Sequence, residues 1–219
     1  MSKQEKAIRF IQKNDYEEAA KLFVEIIDEQ PNDPIGYINF GNLLVMMKRT
    51  EEAERFFLKA IALDDHAATA FFGLGSLYYE QNLLEEAEKM LQHAIHLGIE
   101  DSEVYYLLGL THKKQENIML AIPFLQRATE LNGETNKKFQ YGLALAQADY
   151  FQEAEKVLKE VIDEEPSHAD ASYNLGILKL HEKKLEEAIA YMDQVLETQP
   201  DHMLATKAKQ NMQKMINRA

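Results

Sequence analysis

His93 and His96 stand three residues apart, the spacing at which two imidazoles share one face of a helix and reach a common metal ion. No cysteine and no third histidine joins them, so the expectation is a surface pair and no metal site. The absence of cysteine also excludes disulfides and iron–sulfur clusters. Asp and Glu number 37, yet no pair stands in a setting that would drive two carboxylates apart in pKa, as acid–base catalysis requires. No Gly-x-Ser-x-Gly, P-loop or dinucleotide fingerprint occurs. Gly73-x-Gly75 lies inside a helix-forming stretch and has no phosphate role. These residues predict a chain that is no enzyme and needs no cofactor.

The elements around these residues are helical. Ala, Glu, Lys and Leu dominate, and there are only 9 Gly and 5 Pro among 219 residues. The glycines are phased: Gly41, Gly75, Gly109, Gly142 and Gly176 follow one another at 34, 34, 33 and 34 residues. Ala19, Ala53, Ala87, Ala121, Ala154 and Ala188 form a second column with the same period. A third column lies four residues further on, in Phe23, Phe57, Leu91, Leu125, Leu158 and Met192. A fourth lies seven further on, in Ile26, Ala60, Ala94, Ala128, Val161 and Val195. Glycine inside a helix costs roughly 0.5–1 kcal/mol against alanine, so a phased column needs a packing reason. The pattern predicts two antiparallel helices per unit, with Gly on the first and Ala on the second allowing close approach, and with the larger residues forming the second helix's apolar stripe.

Turn signals fall where that scheme needs them, at Asn14-Asp15, Lys48-Arg49, Gln81-Asn82, Glu116-Asn117, Ala148-Asp149 and Lys183-Lys184. Pro31, Pro166 and Pro200 stop the second helices, and Gly98 and Asn132-Gly133 are expected to end them through left-handed caps. Pro123 is expected near the start of a second helix, where a missing N–H is tolerated.

These columns resemble the tetratricopeptide repeat, whose pattern is a large residue, Leu-Gly, Tyr, Ala, Phe, Ala and Pro at fixed offsets. Phe71-Phe72-Gly73-Leu74-Gly75-Ser76-Leu77-Tyr78 and Tyr173-Asn174-Leu175-Gly176 carry it well. The resemblance implies an all-α, right-handed superhelical solenoid: one array over 1–219, with repeats 1–33, 34–67, 68–101, 102–134, 135–168 and 169–202. A capping helix over 203–218 follows, with Leu204, Ala205, Ala208, Met212, Met215 and Ile216 as its apolar stripe and Lys207, Lys209, Gln210, Lys214 and Arg218 outward. The family's Trp is replaced by Tyr37, Phe71 and Tyr105, then by Lys138 and Ser172, which puts the first-helix packing of repeats five and six in question. Ala7 replaces the glycine in repeat one, suiting an N-terminal cap.

By the same resemblance the first helix of each repeat lines a concave groove. Its fifth position reads Ile38, Phe72, Tyr106, Phe139 and Tyr173, a ladder suited to an extended or helical peptide. Asn39, Asn42 and Ser76 offer hydrogen bonds to a peptide backbone, as do Gln140 and Asn174 further along, although Asn39 and Asn174 also match family consensus. Tyr79 adds an aromatic edge, and Leu110, Leu143 and Ile177 make the later groove apolar. Lys113 and Lys114 form a basic pair that would hold one acidic ligand residue or else lie solvated at a helix end. The carboxylate clamp of chaperone-tail binders needs Lys at fifth positions, which repeats two to six lack.

The expected partner is therefore another protein or peptide, with the ends or convex face as an alternative surface for self-association. A monomer or weak homo-oligomer fits either case. A net charge of −13 argues against nucleic acid and anionic membranes, because neutralised phosphates supply most of such affinity. An RNA-reading repeat is the least favoured alternative. No apolar run approaches the ~20 residues of a membrane span, and the N-terminus has no apolar leader, so a cytoplasmic protein is expected.

Overall fold

The structure is a computed structural model describing residues 1–217, and every described element is an α-helix. In chain order these are α1 (Lys3–Gln12), α2 (Tyr16–Glu29), α3 (Pro34–Met46), α4 (Thr50–Leu63), α5 (Ala68–Glu80), α6 (Leu84–His96) and α7 (Ser102–Lys114). They continue as α8 (Ile118–Leu131), α9 (Thr135–Gln147), α10 (Phe151–Glu164), α11 (Ala169–His181), α12 (Leu185–Thr198) and α13 (Met203–Ile216). Each sequence repeat thus carries two helices. The chain divides into two compact units, Met1–Gln115 and Glu116–Ala219, and the division falls in the turn between α7 and α8.

Local chemistry sets the helix ends. Ser2 and Glu5 form a reciprocal capping box on α1, and Asp33 caps α3 with Pro34 in its first turn. Every tight turn inside a repeat puts one residue in the left-handed region: Asn14, Lys48, Asn82, Glu116, Asp149 and Lys183, with φ between 58° and 63°. Each belongs to a turn pair legible in the sequence. Gly98, at φ +87°, ends α6 as expected. Asn132 does not: its φ is −148°, and the short connection before α9 is extended instead. Pro123 also departs from expectation. It is the sixth residue of α8, beyond the first turn, so Met119 loses its usual helical donor.

In the first unit, α1 pairs with α2, α3 with α4 and α5 with α6. Their core holds Phe23, Leu43, Leu44, Phe57, Leu74 and Leu77, each at most 2% exposed. Burying such a side chain stabilises by about 1.5–3 kcal/mol. The nearest wall at the repeated glycine is not the alanine that the sequence suggested. A Cβ added at Gly41 would meet the Phe57 ring at 2.8 Å, and one at Gly75 would meet Leu91 at 2.8 Å. The opposing wall is thus the large residue four positions after the alanine.

In the second unit, α9 pairs with α10 and α11 with α12 around Leu158, Val161 and Leu175. At the Trp positions of repeats five and six stand a polar contact and a small buried side chain. Lys138 reaches Glu164 at the end of α10, and Ser172 is 1% exposed. Helix α13 packs on α12 through Ala205, Ala208 and Met212. Its stripe is narrower than expected, because Leu204, Met215 and Ile216 are 61%, 50% and 36% exposed. Lys209 is half-buried and pairs with Asp193, whereas Lys207, Gln210 and Lys214 are exposed. Arg218 lies outside the described residues.

Candidate functional site

In the first unit the positions selected from the sequence lie on α3, α5 and α7. Ile38 belongs to the core at 7% exposed, so it offers no free rung. Phe72, Tyr106 and Leu110 are half-buried, and Asn42 is exposed. Asn39 borders a pocket at the N-terminal end with Ile35, Gly36 and Lys3. That pocket's cation is already satisfied, since Lys3 pairs with Glu25 at 2.6 Å and Glu29 at 2.7 Å. Lys114 is exposed with its Nζ 4.1 Å from the centre of the Tyr79 ring, a cation–π contact. Lys113 is half-buried, and burial lowers its pKa from the ordinary lysine value.

A second pocket, of about 300 Å3, opens among α3, α5 and the approach to α7. Phe57, Gly73, Leu77, Val45 and Ile99 make its apolar part. Asn42, Thr69, Phe72, Ser76, Glu80 and Asp101 complete it. Gly73 lies on its α5 wall. The equivalent position carries Asn39, Leu107, Gln140 and Asn174 in repeats two, four, five and six. A Cβ at Gly73 would stand 2.6 Å from Phe57, so the bare backbone admits that ring. Sequence reasoning selected Asn42, Phe72 and Ser76 but missed Gly73, Glu80 and Asp101. The break in an otherwise large-residue column was the available signal.

In the second unit the selected positions lie on α9 and α11. Phe139 is 8% exposed and packs in the core against the His168 ring at 4.5 Å. Gln140, Leu143 and Tyr173 are half-buried, and Ile177 is 36% exposed. The Asn174 side-chain amide donates to the Asp170 carbonyl at 2.7 Å, so part of its role is structural. On α13, Leu204 and Met215 are exposed.

Ionisable groups between repeats serve packing. Tyr78 donates to Glu54 at 2.8 Å, and burial, then this bond, push its phenol up to about 12. In the second unit Lys179, 3% exposed, takes the equivalent position and meets Glu155 at 2.7 Å and Glu182 at 2.9 Å. Burial opposes the Lys179 charge, but bonds to both carboxylates outweigh it and raise its pKa above the ordinary lysine value. Hydrogen bonds from Lys159 and Lys179 lower the Glu155 carboxyl, and those from Lys184 and Lys179 push Glu182 down to about 2. These shifts have structural causes and mark no acid–base pair.

The histidines also have structural work. His168 and His202 cap α11 and α13, each accepting at Nδ1 from the backbone N–H three residues on, at 3.2 and 3.1 Å. The His93 ring lies 4.2 Å from Phe71 and 6.3 Å from His96. Asp64, Asp65 and His66 form an exposed cluster that was not anticipated; its internal bonds belong to the α4–α5 turn. Among the described residues no helix is long and apolar enough to cross a membrane.

Paired helices repeating at 34 residues, with glycine on one and a large residue on the other, define a helical-repeat protein. Models of the tetratricopeptide repeat match residues 36–97, 102–135 and 145–210. The solved structure of YrrB, described as a TPR protein with an unusual peptide-binding site, is 40% identical with a TM-score of 0.84. The match covers 87% of this chain and 99% of YrrB. The chain therefore belongs to the tetratricopeptide repeat family, whose fold is typically a non-catalytic scaffold for protein–protein interaction. Two further structures share the fold. Pseudomonas aeruginosa pilF is 18% identical with a TM-score of 0.78, covering 97% of this chain and 96% of pilF. MamA is 23% identical with a TM-score of 0.70, covering 76% and 92%. No curated protein matches the sequence.

Proposed function

We propose that the chain is a non-catalytic, cytoplasmic adaptor that holds a peptide segment of another protein on the first-helix faces of its repeats. The reading treats residues 1–219 as one array of six repeats and a closing helix. The observation that carries it is the pocket in the first unit, bordered by Asn42, Phe72 and Ser76 at the ligand-facing register. The description of YrrB as peptide-binding adds support. Asn42 and Ser76 suit a peptide backbone, while half-buried Phe72 and Tyr106 supply apolar area at low entropic cost. The second unit contributes Gln140, Leu143, Tyr173 and Ile177 on its own face.

The double variant Phe72→Ala, Tyr106→Ala tests this reading. It is expected to keep its helical circular dichroism while losing partner capture in a pull-down. Undiminished capture would sink the reading.

A second reading, self-association through the C-terminal end, is favoured by Met203, Leu204 and Met215, which stand 83%, 61% and 50% exposed on α13. Light scattering of a Leu204→Lys, Met215→Lys variant separates the two. A fall in mass from dimer to monomer supports self-association, and a monomer before and after removes it.

A further inference from the structure

The pocket of the first unit has a chemistry of its own. We propose that it takes one long basic side chain, Arg or Lys, of the bound peptide; this deepens the peptide-binding reading and rests on it. Two of the eleven residues around the pocket, Glu80 and Asp101, are acidic, and none is basic. Its accessible apolar part, the half-buried Val45, Phe72 and Ile99, suits the methylene stem of Arg or Lys. Phe72 supplies an aromatic ring able to interact with the cation. Glu80 is the last residue of α5, where the helix dipole adds to the attraction for positive charge. Asp101 contributes less, because its Oδ1 accepts from Glu103 N at 2.8 Å to cap α7. At about 300 Å3 the pocket is at the small end of ligand cavities, a size suited to a single side chain. A leucine would leave the carboxylates unmatched, and an acidic side chain would meet them with like charge.

The test is selection of phage-displayed random peptides on the full chain, followed by fluorescence anisotropy of the enriched peptides. The expected sequences share an Arg or Lys whose replacement by norleucine weakens binding about tenfold or more. Glu80→Lys, a change at an exposed residue, should weaken the basic peptide similarly and leave the norleucine peptide unchanged. Enriched peptides that lack a basic residue, or lose nothing on norleucine replacement, overturn the inference. If such peptides still weaken on Phe72→Ala, the peptide-binding reading survives alone. If no peptide is enriched, both fall.

Discussion

A Cβ placed on Gly73 would stand 2.6 Å from the edge of the Phe57 ring. The ring has little room to yield, because a Cβ on Gly41 would approach it to 2.8 Å from the other helix of its repeat. Phe57 is fully buried, so this packing belongs to the core as well as to the pocket.

Gly73→Ala is therefore expected to destabilise the chain by about 1–3 kcal/mol through overpacking, despite alanine's better helix propensity. Gly133→Ala is the control. Its Cβ would lie 3.4 Å from a flexible Lys138 carbon, and its stability should match wild type or exceed it by up to about 1 kcal/mol. Urea denaturation of both variants gives the comparison, and equal midpoints would contradict the packing account.

The left-handed turn residues provide a gain-of-stability prediction. Lys48 sits at φ 58° and is exposed, so its side chain carries backbone strain with little packing in return. Lys48→Gly should raise stability by about 0.5–1 kcal/mol, the relief of strain outweighing glycine's greater freedom when unfolded. A lowered thermal midpoint would show that the lysine contributes an interaction that this account omits.

The Lys179 cluster predicts a pH dependence. Glu155 and Glu182 have depressed folded-state pKa values, so their stabilisation is complete above the ordinary carboxylate value of 4.5. It is lost as pH falls through the folded values, toward about 2 for Glu182. Lys179→Met should cost on the order of 2 kcal/mol near pH 7, because it removes a cation from a partly buried carboxylate. Its penalty should shrink between about pH 5 and pH 2 as the carboxylates protonate. Denaturation midpoints across that range give the test, and a constant penalty would point to lost packing alone.

His168 should act as a cap. His168→Ala removes the acceptor for the Ala171 N–H and the ring packed on Phe139, at an expected cost of about 1–2 kcal/mol. His168→Asn restores the acceptor and should recover part of it. Amide hydrogen exchange at the start of α11 reads this directly, and unchanged protection in the Ala variant would remove the capping role.

The fold was legible because its causes repeat. Gly41 and Gly75 oppose Phe57 and Leu91 in the same register, so a period in the sequence is a period in the packing. Side-chain exposure was less legible. Ile38 and Phe139 share a repeat position with Phe72 and Tyr173, yet pack into cores while the other two stay half-buried. His168 caps a helix while His66, two residues before a repeat start and not one, does not. Pro123 fell inside α8, which begins at Ile118 directly after the Glu116-Asn117 turn and so leaves the proline beyond the first turn. The close approach at Gly73 was not legible, because it depends on a ring from the preceding repeat.

A partner on the first-helix face would lie within reach of Ser76. A photo-crosslinking amino acid placed at Ser76, and separately at exposed Lys59 on α4, tests it most directly in native lysate. The account predicts a crosslinked partner band from position 76, competed away by an excess of wild-type chain, and no such band from position 59. A band from position 59 with none from position 76 would contradict it.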